Sequence, residues 1–335
     1  MSEVLLDIKN LRTSFRIEKK YYAAVDGVDL TINKNEVFAV VGESGSGKSA
    51  MALSIIGLHN RNYTRIDGEI LFNGPDSTQD LLSLSESDLN KVRGKEISMI
   101  FQDPLTALNP LMQVGVQIEE GMLYHTDLDK NARKDRAIHL LTEVGMVNPD
   151  LTYSQLPHEL SGGMRQRAMI ALAMAAKPSL IIADEPTTAL DVTIQAQILD
   201  LMRRMQDETE VSIIIITHDL GVVAEMADRV AVMYAGQIVE IGSVHDILKE
   251  PRHPYTRSLL HAIPSLGDVG ADKRLHSIQG NVPDLMNLPR EGCRFAGRIP
   301  WMGHSDHEDQ PTYHAIGSSG HLVLCTCYEN FDIKE

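Results

Sequence analysis

The sequence predicts an α/β fold, in which a mostly parallel sheet is covered by helices on both faces. Short runs rich in β-branched residues alternate with longer helical patterns: EVFAVVG precedes SAMALSIIG, PSLIIAD precedes TIQAQILDLMRRMQ, and VSIIIITH precedes GVVAEMAD. Two parallel strands need a crossover connection and are buried on both faces, so this order of elements is typical of α/β proteins. The helical segments are therefore expected to connect strands of one central sheet.

The composition limits the class of protein. A chain of 335 residues with 43% hydrophobic residues is long and apolar enough for two domains with buried cores. The net charge of −15 disfavours a protein whose main role is binding nucleic acid, because such proteins need a basic surface to displace counterions from phosphates. The 3 cysteines do not suit a disulfide framework, and the start MSEVLLDIKN does not fit a secretory signal. We therefore expect a cytoplasmic protein that binds no nucleic acid.

A helical pattern interrupts the alternation of strands and helices. Apolar residues recur at helical spacing, as at Ala137, Leu141 and Val144, and Gly145 is a suitable stop. We expect an inserted helical subdomain over about residues 113–176.

The character of the sequence changes again after about residue 264. The remaining segment contains many Gly, Pro and His residues, and its short apolar pieces have no sustained period. We therefore expect a main domain over residues 1–263 and a small irregular C-terminal extension over residues 264–335.

A phosphate-binding loop is predicted between the first strand pattern and its helix. The segment GESGSGKS fits the pattern G-x-x-x-x-G-K-[ST] in full. Its glycines allow backbone N–H groups to curl round phosphate oxygens, Lys48 neutralises charge, and the hydroxyl of Ser49 binds Mg²⁺. The expected nucleotide-binding residues are Gly42, Glu43, Ser44, Gly45, Ser46, Gly47, Lys48, Ser49 and the adjoining Ala50.

Two carboxylates follow the second strand pattern, in LIIADEP. A strand that ends at the carboxyl edge of the sheet would deliver Asp184 and Glu185 beside the phosphate-binding loop, where nucleotides bind in such folds. In isolation an acidic pair of this kind is more often part of a solvated loop, but the P-loop favours the catalytic interpretation. We expect Asp184 to hold Mg²⁺ and Glu185 to orient and polarise the attacking water.

Five motifs occur in a characteristic order along the chain. FQD begins at Phe101, LSGGMRQR begins at Leu160, LIIADEP follows, ALD ends at Asp191 and THD begins at Thr217. In this order they resemble the Q-loop, signature, Walker B, D-loop and switch-histidine motifs of ATP-binding cassette (ABC) proteins, over about residues 3–330. The resemblance implies a P-loop ABC nucleotide-binding domain with a mostly parallel sheet core, an N-terminal antiparallel β part and a helical subdomain that carries the signature.

The signature motif is a second candidate surface for an anion. Gly162 and Gly163 begin a helical pattern with Ser161 as its cap, which exposes another helix N-terminus. One chain does not need two such surfaces for one nucleotide. The resemblance implies that two ATPase subunits face each other head to tail, so that each signature, including Gln166, closes on the other subunit's γ-phosphate and Asp191 lies at the seam.

The resemblance also assigns contacts to single side chains. Gln102 would reach Mg²⁺ and the attacking water through its amide, and its loop would sense the membrane partner. The imidazole of His218 would contact the γ-phosphate and stabilise the charge that develops there. For the adenine the family places an aromatic ring before the P-loop: alignment on IKNL favours Phe15, whereas counting back from AVDGVDL favours a tyrosine, Tyr21 or Tyr22.

Three longer stretches narrow the resemblance. MIFQDPLTALNP, PHELSGGMRQR and above all EPRHPYTRSLLHAIPSL are similar to the ATPases of bacterial oligopeptide and dipeptide importers. The resemblance implies a transport-coupled ATPase that uses ATP and Mg²⁺ at the cytoplasmic face of the cell membrane. Its partners would be a homologous second ATPase subunit, two permease subunits and an extracytoplasmic peptide-binding protein. Nickel or glutathione are alternative cargoes, and a soluble ABC-type ATPase acting on nucleic acid or ribosomes is the alternative from another class.

The C-terminal cysteines leave three alternatives open. Tails of these importer ATPases often hold an iron–sulfur cluster on four cysteines; here Cys293 and Cys325 match, whereas Ile299 and Asp306 replace the other two, and Cys327 is additional. The loss of two ligands favours a tail held by packing alone. The alternatives are a cluster completed by Asp306 or a histidine, and a zinc site on the three cysteines and one histidine. The candidate histidines are His304, His307 and His321.

Overall fold

The structure, a computed structural model, describes residues 3–75, 77–188, 190–262, 278–318 and 320–333. The strands are β1 (Val4–Ile17), β2 (Lys20–Asn33), β3 (Val37–Val41), β4 (Thr64–Asn73), β5 (Thr78–Asp80), β6 (Ile97–Ile100), β7 (Leu180–Asp184), β8 (Ser212–Thr217), β9 (Arg229–Tyr234), β10 (Gln237–Ser243), β11 (Tyr313–Ile316) and β12 (His321–Leu324). The helices are α1 (Lys48–Ile55), α2 (Glu86–Val92), α3 (Pro104–Ala107), α4 (Val114–His125), α5 (Lys130–Glu143), α6 (Pro149–Ser154), α7 (Gly162–Ala173), α8 (Val192–Thr209), α9 (Leu220–Met226), α10 (Val244–Lys249) and α11 (Pro254–His261). Short 3₁₀ turns lie at Pro157–Glu159, Ala296–Arg298, His304–Asp306 and Thr326–Glu329.

A four-stranded antiparallel sheet forms the N-terminal part, in the order β2-β1-β4-β5. The long strands β1 and β2 pair from Val4 opposite Asn33 to Ile17 opposite Lys20. The buried side of this sheet shares an apolar cluster with Met51 of α1, because that helix packs against both long strands. The expected N-terminal antiparallel part is therefore confirmed.

An eight-stranded sheet forms the centre of the molecule, in the order β11-β12-β10-β9-β3-β8-β7-β6. The neighbouring strands from β9 to β6 are parallel, and the strands beyond β9 are antiparallel. Alternate residues of β8 serve the two faces, since Ile213 belongs to one apolar cluster and Ile214 to another. The predicted α/β class with a mostly parallel core is confirmed.

The helices α3 to α7 form the region that carries the signature. In α5, Asp129 caps the N-terminus by accepting hydrogen bonds from two backbone N–H groups, and Ala137 and Leu141 are buried. The helix ends at Glu143 with Val144 as its C-cap, and the next residue, Gly145, has a φ of 78° that favours glycine. The helix and its stop lie where the apolar period predicts them. No helix in the described part of the chain is long and apolar enough to cross a membrane.

The C-terminal extension contributes regular structure to the main sheet. Strand β12 pairs with β10, with Val323 opposite Glu240, and β11 pairs with β12 at the sheet edge. Phe295, Ile299 and Phe331 of the extension are buried in one apolar cluster with Tyr234 of the main domain. The sequence does not indicate these strands, because each has only four residues and their period is too short to recognise.

Candidate active site

Four neighbouring parallel strands deliver the predicted catalytic residues to one edge of the sheet. At their carboxyl ends, β3 leads into the P-loop, β8 into His218, β7 into Asp184 and Glu185, and β6 into Gln102. Parallel strands end at the same edge, so residues that lie far apart in the sequence meet here. The adjacency β3-β8-β7-β6 is what brings these motifs together.

The P-loop needs glycine at two positions because backbone atoms approach it closely. A Cβ atom at Gly42 would lie 2.1 Å from the carbonyl oxygen of Met233, and one at Gly47 would lie 2.6 Å from that of Ala24. Gly47 also has a φ of 108° where it precedes α1, a conformation that L side chains rarely adopt. The glycine spacing of the motif is thus required by the packing of the loop against β2 and β9.

Lys48 is buried inside the loop that precedes it. Its Nζ atom donates to the carbonyl oxygens of Gly42 at 2.8 Å and Glu43 at 2.9 Å. Burial lowers the pKa of Lys48, while the nearby carboxylates of Glu185 and Asp184 act in the opposite direction. The ammonium group of Lys48 is therefore held inside the loop whose backbone is shaped to bind phosphate oxygens.

Ser49 and Asp184, the two residues expected to hold Mg²⁺, are joined by a hydrogen bond. The hydroxyl of Ser49 donates to Oδ1 of Asp184 at 3.1 Å, across the gap between α1 and β7. Burial raises the pKa of Asp184, and the hydrogen bond from Ser49 partly offsets that effect. A hydroxyl and a carboxylate in contact beside a phosphate-binding loop fit the oxygen preference of Mg²⁺.

Glu185 accepts hydrogen bonds from three side chains. Gln102 Nε2 lies 3.0 Å from Oε2, Thr188 Oγ1 lies 2.8 Å from Oε2, and His218 Nδ1 lies 3.2 Å from Oε1. Burial alone would raise the pKa of Glu185, but the hydrogen bonds from Thr188 and His218 outweigh it and hold the pKa below its usual range. The carboxylate is thus ionised and oriented at the sheet edge, with a left-handed backbone φ of 48°.

The structure brings Gln102 and His218 to Glu185. Among the hydrogen bonds of the described residues, Gln102 is joined to Glu185 and not to Ser49 or Asp184. Its expected contact with Mg²⁺ therefore stays a prediction.

The signature residues form a capped helix N-terminus, as expected. The hydroxyl of Ser161 accepts from the N–H of Met164 at 3.3 Å, and α7 follows directly. A Cβ atom at Gly163 would lie 2.9 Å from Cγ2 of Ile194 in α8, so this glycine permits close packing. The side chain of Gln166 is buried, and its Nε2 atom has no hydrogen-bond partner within the described structure.

Asp191 caps the N-terminus of α8. Its Oδ1 atom accepts from the N–H of Ile194 at 3.0 Å. Ala189 of the same motif lies outside the described residues. The contact explains how Asp191 is fixed, whereas its expected place at a dimer seam stays a prediction.

Two of the aromatic candidates for adenine lie opposite each other on neighbouring strands. Phe15 of β1 pairs with Tyr22 of β2, and the ring of Phe15 packs edge-on against His59 at a centroid distance of 5.3 Å. Tyr21 lies under the guanidinium of Arg65, 4.6 Å from its ring centroid. The ring of Tyr22 has no comparable partner among the described aromatic contacts.

The C-terminal extension contacts the P-loop through Arg298, which the sequence does not identify as a site residue. Its guanidinium donates to both carboxylate oxygens of Glu43, with Nη2 3.2 Å from Oε1. The hydroxyl of Tyr255 accepts from the backbone N–H of Glu43 at 2.8 Å. Because Arg298 is also buried, it fixes the second residue of the P-loop from outside the main domain. The one feature of the sequence that points to Arg298 is its similarity to an arginine in the C-terminal tails of the importer ATPases.

The three cysteines converge with one of the candidate histidines. The ligand atoms of Cys293, His307, Cys325 and Cys327 all lie within 4.8 Å of one another. The thiol of Cys325 also accepts from the backbone N–H of Glu308 at 3.4 Å. Hydrogen bonds from the thiols of Cys293 and Cys327 hold the pKa of Cys325 far below its usual range.

The other candidate ligands are engaged elsewhere. His321 is paired with the fully buried Glu240, with Nε2 2.7 Å from Oε1. The carboxylate of Asp306 accepts from the N–H of Gly303 at 2.8 Å and from the side chain of Asn330 at 3.3 Å. The side chain of His304 lies outside the described structure.

The donor set does not fit an iron–sulfur cluster, which the sequence leaves open as one of three alternatives. Such clusters are normally bound by four cysteines, but only three thiols meet here. Ile299, at one of the family's cysteine positions, is buried among apolar side chains and offers no ligand atom.

The P-loop, the acidic pair after β7, the capped signature helix and the histidine after β8 together define a P-loop ATPase of the ATP-binding cassette class. The family model described as "ABC transporter" matches residues 25–188, and the model described as "Oligopeptide/dipeptide transporter, C-terminal region" matches residues 239–302. The chain belongs to the ABC transporter family. It is an ATPase whose hydrolysis of ATP is coupled to transport.

Named relatives agree with this assignment along the whole chain. The oligopeptide transport ATP-binding protein OppD of Lactococcus lactis subsp. cremoris (strain SK11) is 47% identical over 334 residues, covering 100% of this chain and 97% of that protein. The oligopeptide transport ATP-binding protein AppD of Bacillus subtilis (strain 168) is 49% identical over 326 residues, covering 97% of each. The dimeric, ADP- and Pi-bound ATP-binding cassette MJ0796 has a TM-score of 0.63 at 26% identity, covering 72% of this chain and 99% of that structure.

Replacement of Arg298 tests whether the C-terminal extension supports the P-loop. We expect Arg298→Ala to weaken ATP binding by roughly tenfold, because hydrogen bonds to charged groups contribute about 1.5–3 kcal/mol and Glu43 would lose its anchor. The affinity is measured by titration calorimetry with a non-hydrolysable ATP analogue.

Two further variants separate this effect from general destabilisation. Glu43→Gln leaves the bonds of Arg298 to backbone carbonyls intact and should weaken binding in the same direction. Arg204→Ala, at an exposed arginine of α8, should leave the affinity unchanged. Unchanged ATP affinity in both Arg298→Ala and Glu43→Gln would contradict the role of the contact.

Proposed function

We propose that this chain powers the uptake of oligopeptides or dipeptides by an ABC importer. In this proposal it binds and hydrolyses ATP at a head-to-tail interface with a second, homologous ATPase subunit. The observation that carries the proposal is a catalytic edge that places Lys48 within the electrostatic influence of Asp184 and Glu185, while the signature residues begin a separate helix, α7. Within the described structure, no hydrogen bond joins Ser161 or Gly163 to the P-loop.

An unused helix N-terminus beside a complete catalytic edge is explained if another subunit supplies the nucleotide. Ser161 caps the N–H of Met164, whereas those of Gly162 and Gly163 donate to no acceptor among the described hydrogen bonds, and such a helix terminus favours an anion. A γ-phosphate held by the partner's P-loop satisfies that preference. The dimeric state named for the similar cassette MJ0796 supports this arrangement.

In this proposal, each residue at the sheet edge contributes to one step of ATP hydrolysis. Lys48 and the loop N–H groups neutralise and position the phosphates, and Ser49 with Asp184 would hold the Mg²⁺. The ion, when bound, neutralises charge on the phosphate oxygens. Glu185 accepts a proton from the attacking water, which Gln102 helps to position.

His218 contributes at the same edge from the neighbouring strand. It contacts the carboxylate of Glu185 at 3.2 Å, and from this position it would donate to the γ-phosphate as negative charge develops there. Positioning and electrostatic stabilisation thus account for the reaction, with little covalent chemistry by the protein.

The importer assignment rests on the names of the relatives and on the C-terminal region. OppD and AppD are named as oligopeptide transport proteins, which favours peptides over nickel or glutathione as cargo. Two permease subunits and an extracytoplasmic peptide-binding protein complete the proposed system, with this chain bound at the cytoplasmic face of the membrane. The net charge of −15 and the transport names give no support to an ATPase that acts on nucleic acid or ribosomes.

The role of Glu185 is tested by Glu185→Gln. We expect the variant to bind ATP with unchanged affinity but to hydrolyse it at least 100-fold more slowly, because general base catalysis contributes roughly 10²–10⁴-fold. Phosphate release and nucleotide affinity are measured on the same preparation. Glu208→Gln, at an exposed carboxylate of α8, is the control and should hydrolyse ATP normally. Near-normal turnover by Glu185→Gln would remove Glu185 from the role of base.

The head-to-tail arrangement is tested at the signature by Ser161→Ala. The variant should lower hydrolysis by the assembled transporter roughly tenfold, because the hydroxyl would contact the partner's γ-phosphate, while ATP binding by the isolated chain stays unchanged. Loss of an N-cap costs about 1 kcal/mol in stability, so a matched cap variant is needed.

Ser243→Ala provides that match, since Ser243 caps α10 in the same way, accepting from Asp246 at 3.1 Å. It should lower stability similarly and leave hydrolysis intact. Equal turnover by the two variants would contradict a role for Ser161 across the interface.

Tyr22 is the aromatic residue that we propose stacks on adenine. It lies two residues along β2 from Ala24, whose carbonyl oxygen faces Gly47 of the P-loop, and Phe15 is already packed against His59. Stacking of a base on an aromatic ring contributes about 1–3 kcal/mol, so Tyr22→Ala should weaken ATP binding by roughly tenfold. Phe15→Ala should instead lower the melting temperature with little change in affinity. The opposite pattern would assign the adenine contact to Phe15.

A further inference from the structure

The cluster of Cys293, His307, Cys325 and Cys327 has the composition of a mononuclear metal site. Each residue offers one ligand atom, and all four atoms lie within 4.8 Å of one another. Ligands of one tetrahedral zinc ion, bonded at about 2.0–2.3 Å, lie roughly 3.5–3.8 Å apart. A small inward shift of the four side chains would therefore close them round a single ion.

We propose that this chain binds one structural Zn²⁺ ion through three thiolates and one imidazole, in place of the iron–sulfur cluster implied by the family resemblance. Three cysteines and one histidine are a donor set typical of closed, four-coordinate zinc sites. The proposal does not depend on the proposed transport function.

The spacing of the ligands argues against a four-iron cluster. In such a cluster each cysteine binds a different iron, so the whole cluster lies between the sulfur atoms and keeps them further apart than ligands of one ion. The sulfur atoms of Cys293, Cys325 and Cys327 are too close together for that arrangement. Ile299, which stands at the position of a further family cysteine, is 1% exposed and lies in one apolar cluster with Phe295. The chain has only 3 cysteines, so there is no fourth thiol for a cluster.

His307 provides an independent indication of a ligand. Its Nδ1 atom is buried and has no hydrogen-bond partner within the described structure. Leaving a buried polar atom without a partner costs about 1–3 kcal/mol, and such atoms are rare in native proteins. A histidine with one ring nitrogen within 4.8 Å of three thiol sulfur atoms, and with a buried Nδ1 atom that lacks a partner in the described structure, is explained by a bound cation.

The surroundings of the thiols also suit a metal thiolate. The N–H of Glu308 donates to Sγ of Cys325 at 3.4 Å, which is the kind of contact that orients a ligand sulfur. Binding of Zn²⁺ would release the thiol protons to solvent and leave three thiolates and a neutral imidazole, with a net charge of −1. Cys325 and Cys327 are buried, and among the described residues the group supplies four donors, one for each position of a tetrahedral ion, so the site would be structural and not catalytic.

The site would secure the segment that reaches the nucleotide-binding domain. Arg294 follows Cys293 directly, is buried, and forms an ion pair with Asp26 of β2. Arg298 lies five residues after Cys293 and holds Glu43 of the P-loop. A metal on Cys293 would thus fix the start of the turn from which both arginines extend.

Metal analysis of the full chain tests the proposal. The protein is purified anaerobically from cells supplied with both iron and zinc, and zinc, iron and acid-labile sulfide are measured per chain. We expect one zinc, no iron and no sulfide, with no visible charge-transfer absorbance. Replacement of zinc by Co²⁺ should give the intense d–d bands of a tetrahedral ion and thiolate-to-cobalt charge-transfer bands.

Variants identify the ligands by zinc affinity in competition with a chelating dye. His307→Ala should weaken zinc binding at least tenfold, and His307→Cys should restore it, because a fourth thiolate completes the same geometry. Asp306→Asn is the control and should bind zinc as the unchanged chain does, because Asp306 is paired with Asn330. The melting temperature of the unchanged chain should fall when zinc is removed.

Three results would overturn the proposal. They are an iron–sulfur cluster in the anaerobically purified chain, failure of the metal-free chain to take up added Zn²⁺, and zinc affinity that is unaffected by both His307→Ala and Cys327→Ser. If His307→Ala does not fold, the Co²⁺ spectrum of the unchanged chain and the zinc affinity of His307→Cys decide the question.

Discussion

The carboxylate of Glu185 is the point at which the catalytic edge is assembled. It receives hydrogen bonds from Gln102 after β6, from Thr188 after its own strand and from His218 after β8. These donors come from separate segments of the chain, and only the parallel order of neighbouring strands brings them within reach. The sheet topology therefore determines the chemistry of the site, and the burial of β7 and β8 keeps the carboxylate in one orientation.

The C-terminal extension belongs physically to the nucleotide-binding domain. Its strand β12 extends the main sheet, and Phe295 packs against Tyr234 at a centroid distance of 5.3 Å. Arg298 then reaches from this shared core to Glu43, while Tyr255 holds the same residue through its backbone N–H. Because one apolar cluster contains both parts and Arg298 binds Glu43, we expect changes in the extension to alter the position of the P-loop.

Sequence patterns within a short stretch of the chain predict the parts of the structure that depend on neighbouring residues. The strand–helix alternation predicts the parallel core, and the glycine spacing of the P-loop reflects contacts such as that between Gly47 and the carbonyl of Ala24. The role of Arg298 could not be predicted, because its partner Glu43 lies 255 residues away and no local pattern encodes that distance. The same holds for the choice of His307 over His321, which depends on the tertiary contact of His321 with Glu240.

The cysteine cluster shows how substitutions at separate positions compensate for one another. Two family ligand positions are occupied by Ile299 and Asp306, yet Cys327 and His307 bring the number of donor atoms back to four. Ile299 adds apolar contacts to the core, so the lost thiol is replaced by packing. Both additional donors are close in sequence to positions of the family's cysteines. His307 follows Asp306 directly, and Cys327 lies two residues after Cys325. The segment thus has four donors whose spacing suits the single zinc ion that we propose.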